Sequence, residues 1–311
     1  MVTDKAILLA GPTGGGKSAF ALEFAKANGL AIVNADSMQV YRDLRVLTAC
    51  PTPADEARVP HYLYGVLSGE DRCSAGRWLQ LVAGALGEIR AAGRVPIFVG
   101  GTGLYFKSLT EGLAPVPQIP PDVKQQAAEL STQLEPDEFH HRLAERDPEM
   151  ARRLRPSDGQ RVRRAWEVIE ATGLSLAEWQ TRSPDGPPVL EAQNTKRIIL
   201  DVPRETIYAR CDARFDTMIE QGALAEVEAL LAQNLDPELP IMKALGVPEL
   251  QAYLEGRLSL DQAIERAKTA TRRYAKRQTT WFRHQMPGWH MIGTQQMERY
   301  LEEIIPFIRK T

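Results

Sequence analysis

Gly11-Pro12-Thr13-Gly14-Gly15-Gly16-Lys17-Ser18 fits the spacing G-x-x-x-x-G-K-[ST] and sits between two matching signals. Before it runs Ala6–Ala10, a short apolar segment suited to a buried parallel strand. After it Lys17–Asn28 carries Phe20, Leu22 and Phe24 at roughly helical spacing, and Gly29 can close that helix in a left-handed conformation. Glycines let the backbone curl until successive N–H groups point at phosphate oxygens. The helix start adds a fixed partial positive charge. In such a loop Lys17 bridges phosphate oxygens and Ser18 offers a hydroxyl to Mg²⁺. The pattern implies a bound di- or triphosphate. It leaves open which one, and whether the phosphate is transferred or leaves.

Outward from the loop the chain keeps alternating. Ala31–Asn34 reads as a strand ending at Asp36, Gly76–Ala92 as a helix stopped by Gly93, and Val95–Val99 as a third strand. Such order demands crossover helices and an open parallel sheet. The stretch Ala114–Asp122 holds Pro115, Pro117, Pro120 and Pro121 and reads as a linker. Residues 122–182 show helical patterns only, and the proline-rich Ser183–Pro188 closes them. Strand character returns at Lys196–Val202, followed by one long helical stretch from Arg204 to about Gln233 and another over residues 259–285. The expected fold is α/β, a P-loop NTPase-like parallel sheet core (residues 1–117 and 189–311) with an all-helical insertion domain over residues 118–188.

The 311 residues, 43% of them hydrophobic, suffice for one large domain carrying a second. No stretch approaches the roughly 20 apolar residues of a membrane helix, and Ile7–Ala10 is too short for a signal segment. A cytoplasmic protein is expected, without membrane contact. Cys50, Cys73 and Cys211 lie far apart, which suggests neither a disulfide framework nor a zinc site. The net charge of −2 hides two basic blocks. Arg266, Lys268, Arg272, Arg273, Lys276, Arg277 and Arg283 fall within residues 266–283 without an acid. Arg152, Arg153, Arg155, Arg161, Arg163 and Arg164 fall within residues 151–164 against Asp158 alone. Each block is either a solvated helix face or part of a track for an anionic polymer.

Further motifs follow in order. Asp36-Ser37-Met38-Gln39-Val40-Tyr41-Arg42 comes after the second strand and Gly100-Gly101-Thr102-Gly103-Leu104-Tyr105 after the third. Then come Gln160-Arg161-Val162-Arg163-Arg164, Arg214-Phe215-Asp216-Thr217-Met218, Met242-Lys243-Ala244-Leu245-Gly246 and Ala275-Lys276-Arg277-Gln278-Thr279-Thr280-Trp281-Phe282-Arg283. Together with the Gly-Pro-Thr of the loop and Val59-Pro60-His61, this set resembles the tRNA dimethylallyltransferase (isopentenyltransferase) family of bacterial type, over about residues 6–290. The chain departs from the family pattern at Gly14, Gly15, Asp43, Cys50 and Val247.

The resemblance implies transfer of a dimethylallyl group from dimethylallyl diphosphate to the exocyclic amine of the adenosine 3′-adjacent to the anticodon of tRNA, with release of pyrophosphate. It implies Mg²⁺ as cofactor, with Ser18 as metal-side ligand, the tRNA anticodon stem-loop as partner substrate, and a monomer. Asp36, on its residues alone, is either a general base or a carboxylate that orients substrate or Mg²⁺-bound water; the resemblance favours the base. Thr102 matches the family threonine beside the reacting adenosine, or caps the helix from Gly103. Gly11 through Ser18, with Lys17 as a catalytic charge, are expected to hold the diphosphate, joined by Arg214, which could instead serve a helix-face salt bridge. Candidate tRNA contacts are Asp36, Ser37, Met38, Gln39, Thr102, Lys124, Gln160, Arg161, Val162, Arg163, Arg164, Arg272, Lys276, Arg277 and Arg283. Trp281 and Phe282 read as core anchors rather than stacking platforms. A small-molecule or nucleotide kinase and a non-catalytic RNA-binding module are the other readings. The basic insertion counts against the first, and retention of Lys17 with Asp36 against the second.

Overall fold

A computed structural model describes residues 4–184, 187–293 and 296–309. The chain divides into two compact units, residues 1–110 with 189–311, and residues 111–188.

The first unit is built on six strands, all parallel. They are β1 (Ala6–Ala10), β2 (Ala31–Asn34), β3 (His61–Tyr62), β4 (Pro96–Gly100), β5 (Thr195–Asp201) and β6 (His290–Gly293), in spatial order β3-β2-β4-β1-β5-β6. Every residue of β1 is buried, as a strand covered on both faces requires. Alternate side chains separate the two cores. Ala6, Leu8 and Ala10 join the cluster around Trp78, Phe98 and Phe106, while Ile7 and Leu9 join the one around Phe24, Ile97 and Ile198. Truncating Leu8 or Leu9 to Ala should cost about 2–5 kcal/mol.

The helices of this unit are α1 (Lys17–Asn28), α2 (Pro53–Arg58), α3 (Ala75–Ala91) and α4 (Gly103–Glu111), which reaches the unit boundary. Gly29 closes α1 at φ 66° and returns its N–H to Ala25 O. The second unit holds α5 (Pro121–Gln133), α6 (Pro136–Arg146), α7 (Pro148–Arg153), α8 (Gly159–Thr172) and α9 (Leu176–Thr181), and none of its described residues forms a strand of the sheet. Its own core gathers Phe139, Leu143, Met150, Val162 and Ala165. The unit starts at Glu111 rather than at residue 118.

After β5 come α10 (Arg204–Glu220), α11 (Ala223–Leu231), α12 (Val247–Leu254) and α13 (Leu260–Gln285), then β6 and α14 (Met297–Arg309). The single helix expected from Arg204 to Gln233 is two helices. Gly222 stands between them at φ 97°, where a helix cannot continue. The strands β3 and β6 have no counterpart in the sequence reading: β3 is only two residues long, and β6, half exposed, lacks the continuous apolar run that marks the four-residue β2. Among the described residues no helix is long and apolar enough to cross a membrane.

Candidate active site

The phosphate loop leaves the carboxyl end of β1, in the middle of the sheet. Gly14 (φ 74°) and Gly16 (φ 87°) adopt backbone conformations that side chains disfavour. A Cβ at Gly14 would also lie 2.8 Å from Cys211 Sγ, and one at Gly15 2.9 Å from Pro12 O. The two glycines that depart from the family pattern are therefore matched to their surroundings here. Lys17 is 8% exposed and donates to Pro12 O at 2.7 Å. Burial pulls its ammonium down to about 8; Asp36 acts against that shift and Arg214 with it. Arg214, on α10, donates to Thr13 Oγ1, so it turns to the loop, and no carboxylate partner is found for it among the described residues. Burial lowers its pKa, opposed by Cys211 and Asp36.

Asp36 stands just past β2. Buried Asn34 fixes this turn: its Oδ1 accepts the Asp36 N–H at 2.8 Å, and its Nδ2 donates to Asp36 O and Leu63 O at 2.9 and 3.0 Å. Asp36 Oδ1 accepts from Met38 N at 2.9 Å. Its second carboxylate oxygen has no protein partner among the described residues and is open to a ligand. Asp36 lines a polar cavity of about 260 Å³ with the phosphate loop, Gln39 and Arg214. It also lines a second cavity, of about 290 Å³, walled by Met38, Leu47, Phe215, Met218 and Leu245. Thr13, Thr48 and Arg214 border both. A cavity lined by cationic groups and a largely apolar one thus share Asp36 as a wall.

Thr102 Oγ1 accepts the Ser37 N–H at 2.9 Å and is not the helix cap the sequence allowed. It joins its loop to the Asp36 loop and keeps its own hydrogen to donate. The glycines around it have individual reasons. A Cβ at Gly100 would meet Ala35 O at 2.0 Å, one at Gly101 Gln278 Nε2 at 2.1 Å, and one at Gly103 the Trp281 ring at 2.0 Å. Trp281 packs on the core and Phe282 is 1% exposed, which makes both anchors. Gln278, 5% exposed, accepts the Thr13 N–H at 2.8 Å and donates to Gly101 O at 2.8 Å. The Thr13 amide is therefore committed to protein, not to phosphate.

Sequence reasoning gave no role to Asn34, Gln278 or Glu226. Glu226 takes the N–H groups of Arg45, Val46 and Leu47 at 2.8–3.0 Å and so holds the turn that carries Leu47 and Thr48. A signal existed for Gln278. It shares the buried stripe Ala263, Ala267, Thr271, Ala275, Phe282, and a polar side chain there must have partners. The other departures are also accommodated. Asp43 accepts from Gly69 N and Gln233 Nε2, burial pushes the Cys50 thiol up to about 11, and Val247 is fully buried at the start of α12.

The candidate RNA contacts divide. Lys124 lies on α5, and Gln160, Arg161, Val162, Arg163 and Arg164 lie on α8, in the helical unit. Val162 is 1% exposed, in that unit's core, so its side chain packs and cannot face RNA. Arg161 and Arg164 reach Asp158 and Glu167 only at 3.4 Å, and Arg161 is 70% exposed. On α13, Arg272 is paired with Asp212 at 2.6 Å, Lys268 with Asp216 and Arg283 with Asp201. Lys276 and Arg277 are exposed, without a carboxylate partner among the described residues.

Fold and loop define a P-loop α/β protein whose glycine-rich loop lies beside a strand-end carboxylate. The family pattern described as IPP transferase matches residues 39–285, and one described as isopentenyl transferase matches residues 4–61. A tRNA dimethylallyltransferase of Azorhizobium caulinodans is 53% identical over 93% of this chain and 92% of its own. That of Rhodospirillum rubrum is 51% identical over 97% and 93%. The crystal structure of the full-length tRNA isopentenylpyrophosphate transferase of Bacillus halodurans superposes with TM-score 0.68 at 30% identity, covering 98% of this chain and 96% of that one. A eukaryotic dimethylallyltransferase acting on tRNA gives TM-score 0.78 at 27% identity, over 96% and 77%. The chain belongs to the IPP transferase family, the family of these tRNA dimethylallyltransferases, and is a prenyltransferase.

Proposed function

We propose that this enzyme alkylates the exocyclic amine of the adenosine 3′-adjacent to the anticodon of tRNA, using dimethylallyl diphosphate and releasing pyrophosphate. The observation that carries the reading is Asp36, shared by the cavity along the phosphate loop and a second, largely apolar one.

The amine is a weak nucleophile because its lone pair is delocalised into the purine. As its nitrogen bonds to the allylic carbon, the carbon–oxygen bond breaks and the electron pair leaves with the diphosphate. The amine's proton passes to the free oxygen of Asp36, a step worth roughly 10²–10⁴-fold for a positioned base. Lys17, Arg214 and the loop amides other than those of Thr13 and Gly15, which donate to Gln278 Oε1 and Pro12 O, take up the charge that grows on the leaving group. Thr102 keeps its hydroxyl hydrogen for the base or the diphosphate. A stacked adenine cannot reach this depth, so the nucleotide must be flipped out of the anticodon arm. Arg161, Arg163 and Arg164 on the helical unit, with Lys276 and Arg277 on α13, hold the RNA by its phosphates.

The donors here also suit Mg²⁺. Ser18 Oγ is exposed at the first turn of α1 with no protein partner among the described residues, and it lines the same cavity as Asp36. Hard oxygen donors with room for water are what this ion selects. Mg²⁺ held there would supply charge neutralisation for the diphosphate. The enzyme is proposed to act as a cytoplasmic monomer.

Release of pyrophosphate tests the assignment of Asp36. The wild-type chain should release it in proportion to added tRNA, with no ATP present. Asp36→Asn should slow that release by about two to four orders of magnitude while both substrates still bind. Release at the wild-type rate would remove Asp36 from the mechanism.

A further inference from the structure

We propose that Gln278 is a positioning residue, which sets the distance between the phosphate loop and the loop carrying Thr102. The proposal rests on the reading of those two loops as the leaving-group and acceptor sides of one reaction.

The geometry leaves the amide no freedom. The Thr13 N–H can only donate and Gly101 O can only accept, so Oε1 must face Thr13 and Nε2 must face Gly101. At 5% exposure no water can substitute for either bond without a rearrangement. Gly101 has no side chain because Gln278 occupies that space. Thr102, the next residue, is tied to Ser37 beside Asp36. One buried amide therefore links β1's loop to β4's loop, and β4's loop links to β2's. The three strand ends that carry Lys17, Thr102 and Asp36 are connected side by side through hydrogen bonds, with Gln278 as a link supplied from α13.

Gln278 touches neither the allylic carbon nor the amine. Its loss leaves the charges that bind diphosphate in place but lets the two loops drift apart. A displacement on the order of 1 Å between reacting groups costs about 10²-fold in rate. The effect should fall on kcat, not on the KM for the diphosphate.

Two variants test this. Gln278→Met keeps the volume and removes both bonds. Gln278→Glu keeps an acceptor for Thr13 and, when protonated, also a donor for Gly101 O; once ionised it sets a carboxylate against that carbonyl. Tyr274, one turn before Gln278 on α13 and raised by burial, stays protonated across the range used. The charged groups nearest the Thr13 side, Lys17, Arg214 and Asp36, are the same in wild type and variant, so rates are read as variant-to-wild-type ratios.

The expected result for Gln278→Met is a kcat lowered about 10²-fold with KM for dimethylallyl diphosphate within about threefold. Gln278→Glu should be as slow above neutral pH and approach wild type as pH falls towards about 6. A Gln278→Met chain within twofold of the wild-type kcat would overturn the proposal, and so would a Gln278→Glu ratio that does not change with pH. If the methionine variant fails to fold, the pH dependence of the glutamate variant decides alone. A wild-type chain that transfers no prenyl group would overturn both this proposal and the functional reading beneath it.

Discussion

Lys17 is held away from water before any substrate arrives, and this has a sign that can be measured. Its pKa in the folded chain is about 8, against 10.5 when unperturbed. Folding buries a charge below pH 8, and the cost is relieved between about 8 and 10.5, where the unfolded chain still holds the proton. Binding runs the other way, because a diphosphate needs the charged form. Its dissociation constant should be insensitive to this group below pH 8 and rise by up to about tenfold per pH unit above it. Calorimetric titration with dimethylallyl diphosphate from about pH 7 to about 9.5 checks this, and a flat profile counts against Lys17 as the phosphate ligand. Gly14 offers a second test. Gly14→Ala should lower stability by about 1–3 kcal/mol, because its Cβ meets Cys211 Sγ and Ile207 O at positive φ. Combining it with Cys211→Ala should recover only part of the sum of the single losses, measured as a double-mutant cycle in urea. At this scale Lys17, Ser18 and Asp36 were legible because the loop pattern and the strand end announce them. Asn34 and Gln278 were not, since an amide's role depends on which backbone groups the fold brings to it.

Two elements separate what local pattern can tell from what it cannot. Helix α13 was legible: Ser259 caps it, with Gln262 completing the capping box, and the small buried stripe sets its inner face. The use of its basic residues was not, because the closest acids to Arg272 and Lys268, Asp212 and Asp216, lie on α10, more than fifty positions away. The break at Gly222 was missed because glycine tolerance and a left-handed turn look alike in sequence. These pairings make a prediction. Lys276→Ala and Arg277→Ala should each weaken tRNA binding and lower the slope of log affinity against log salt by about one. Arg272→Ala should act chiefly on stability, by up to about 1 kcal/mol for a half-exposed pair. Filter binding across salt concentrations, with urea unfolding in parallel, separates the two; equal salt slopes for all three variants would contradict the division.

For the molecule as a whole, the two chain ends of the sheet-bearing unit that flank residues 111–188 lie side by side. Leu190 N donates to Leu109 O at 3.0 Å, on either side of residues 111–188. A short glycine-serine linker in place of those residues should therefore leave the sheet-bearing unit folded and able to bind dimethylallyl diphosphate, while tRNA affinity is lost. Within the full chain, replacing Arg161, Arg163 and Arg164 together by Ala should raise the KM for tRNA much more than that for the diphosphate, and equal effects would make the cluster structural. The central claim is prenyl transfer to one adenosine. It is tested most directly by incubating the chain with labelled dimethylallyl diphosphate, Mg²⁺ and unmodified tRNA, without ATP, and then analysing the nucleosides. The account predicts label on the exocyclic amine of the adenosine 3′-adjacent to the anticodon and an equal amount of pyrophosphate; unlabelled tRNA, or an ATP-dependent phosphorylated product in its place, would contradict it.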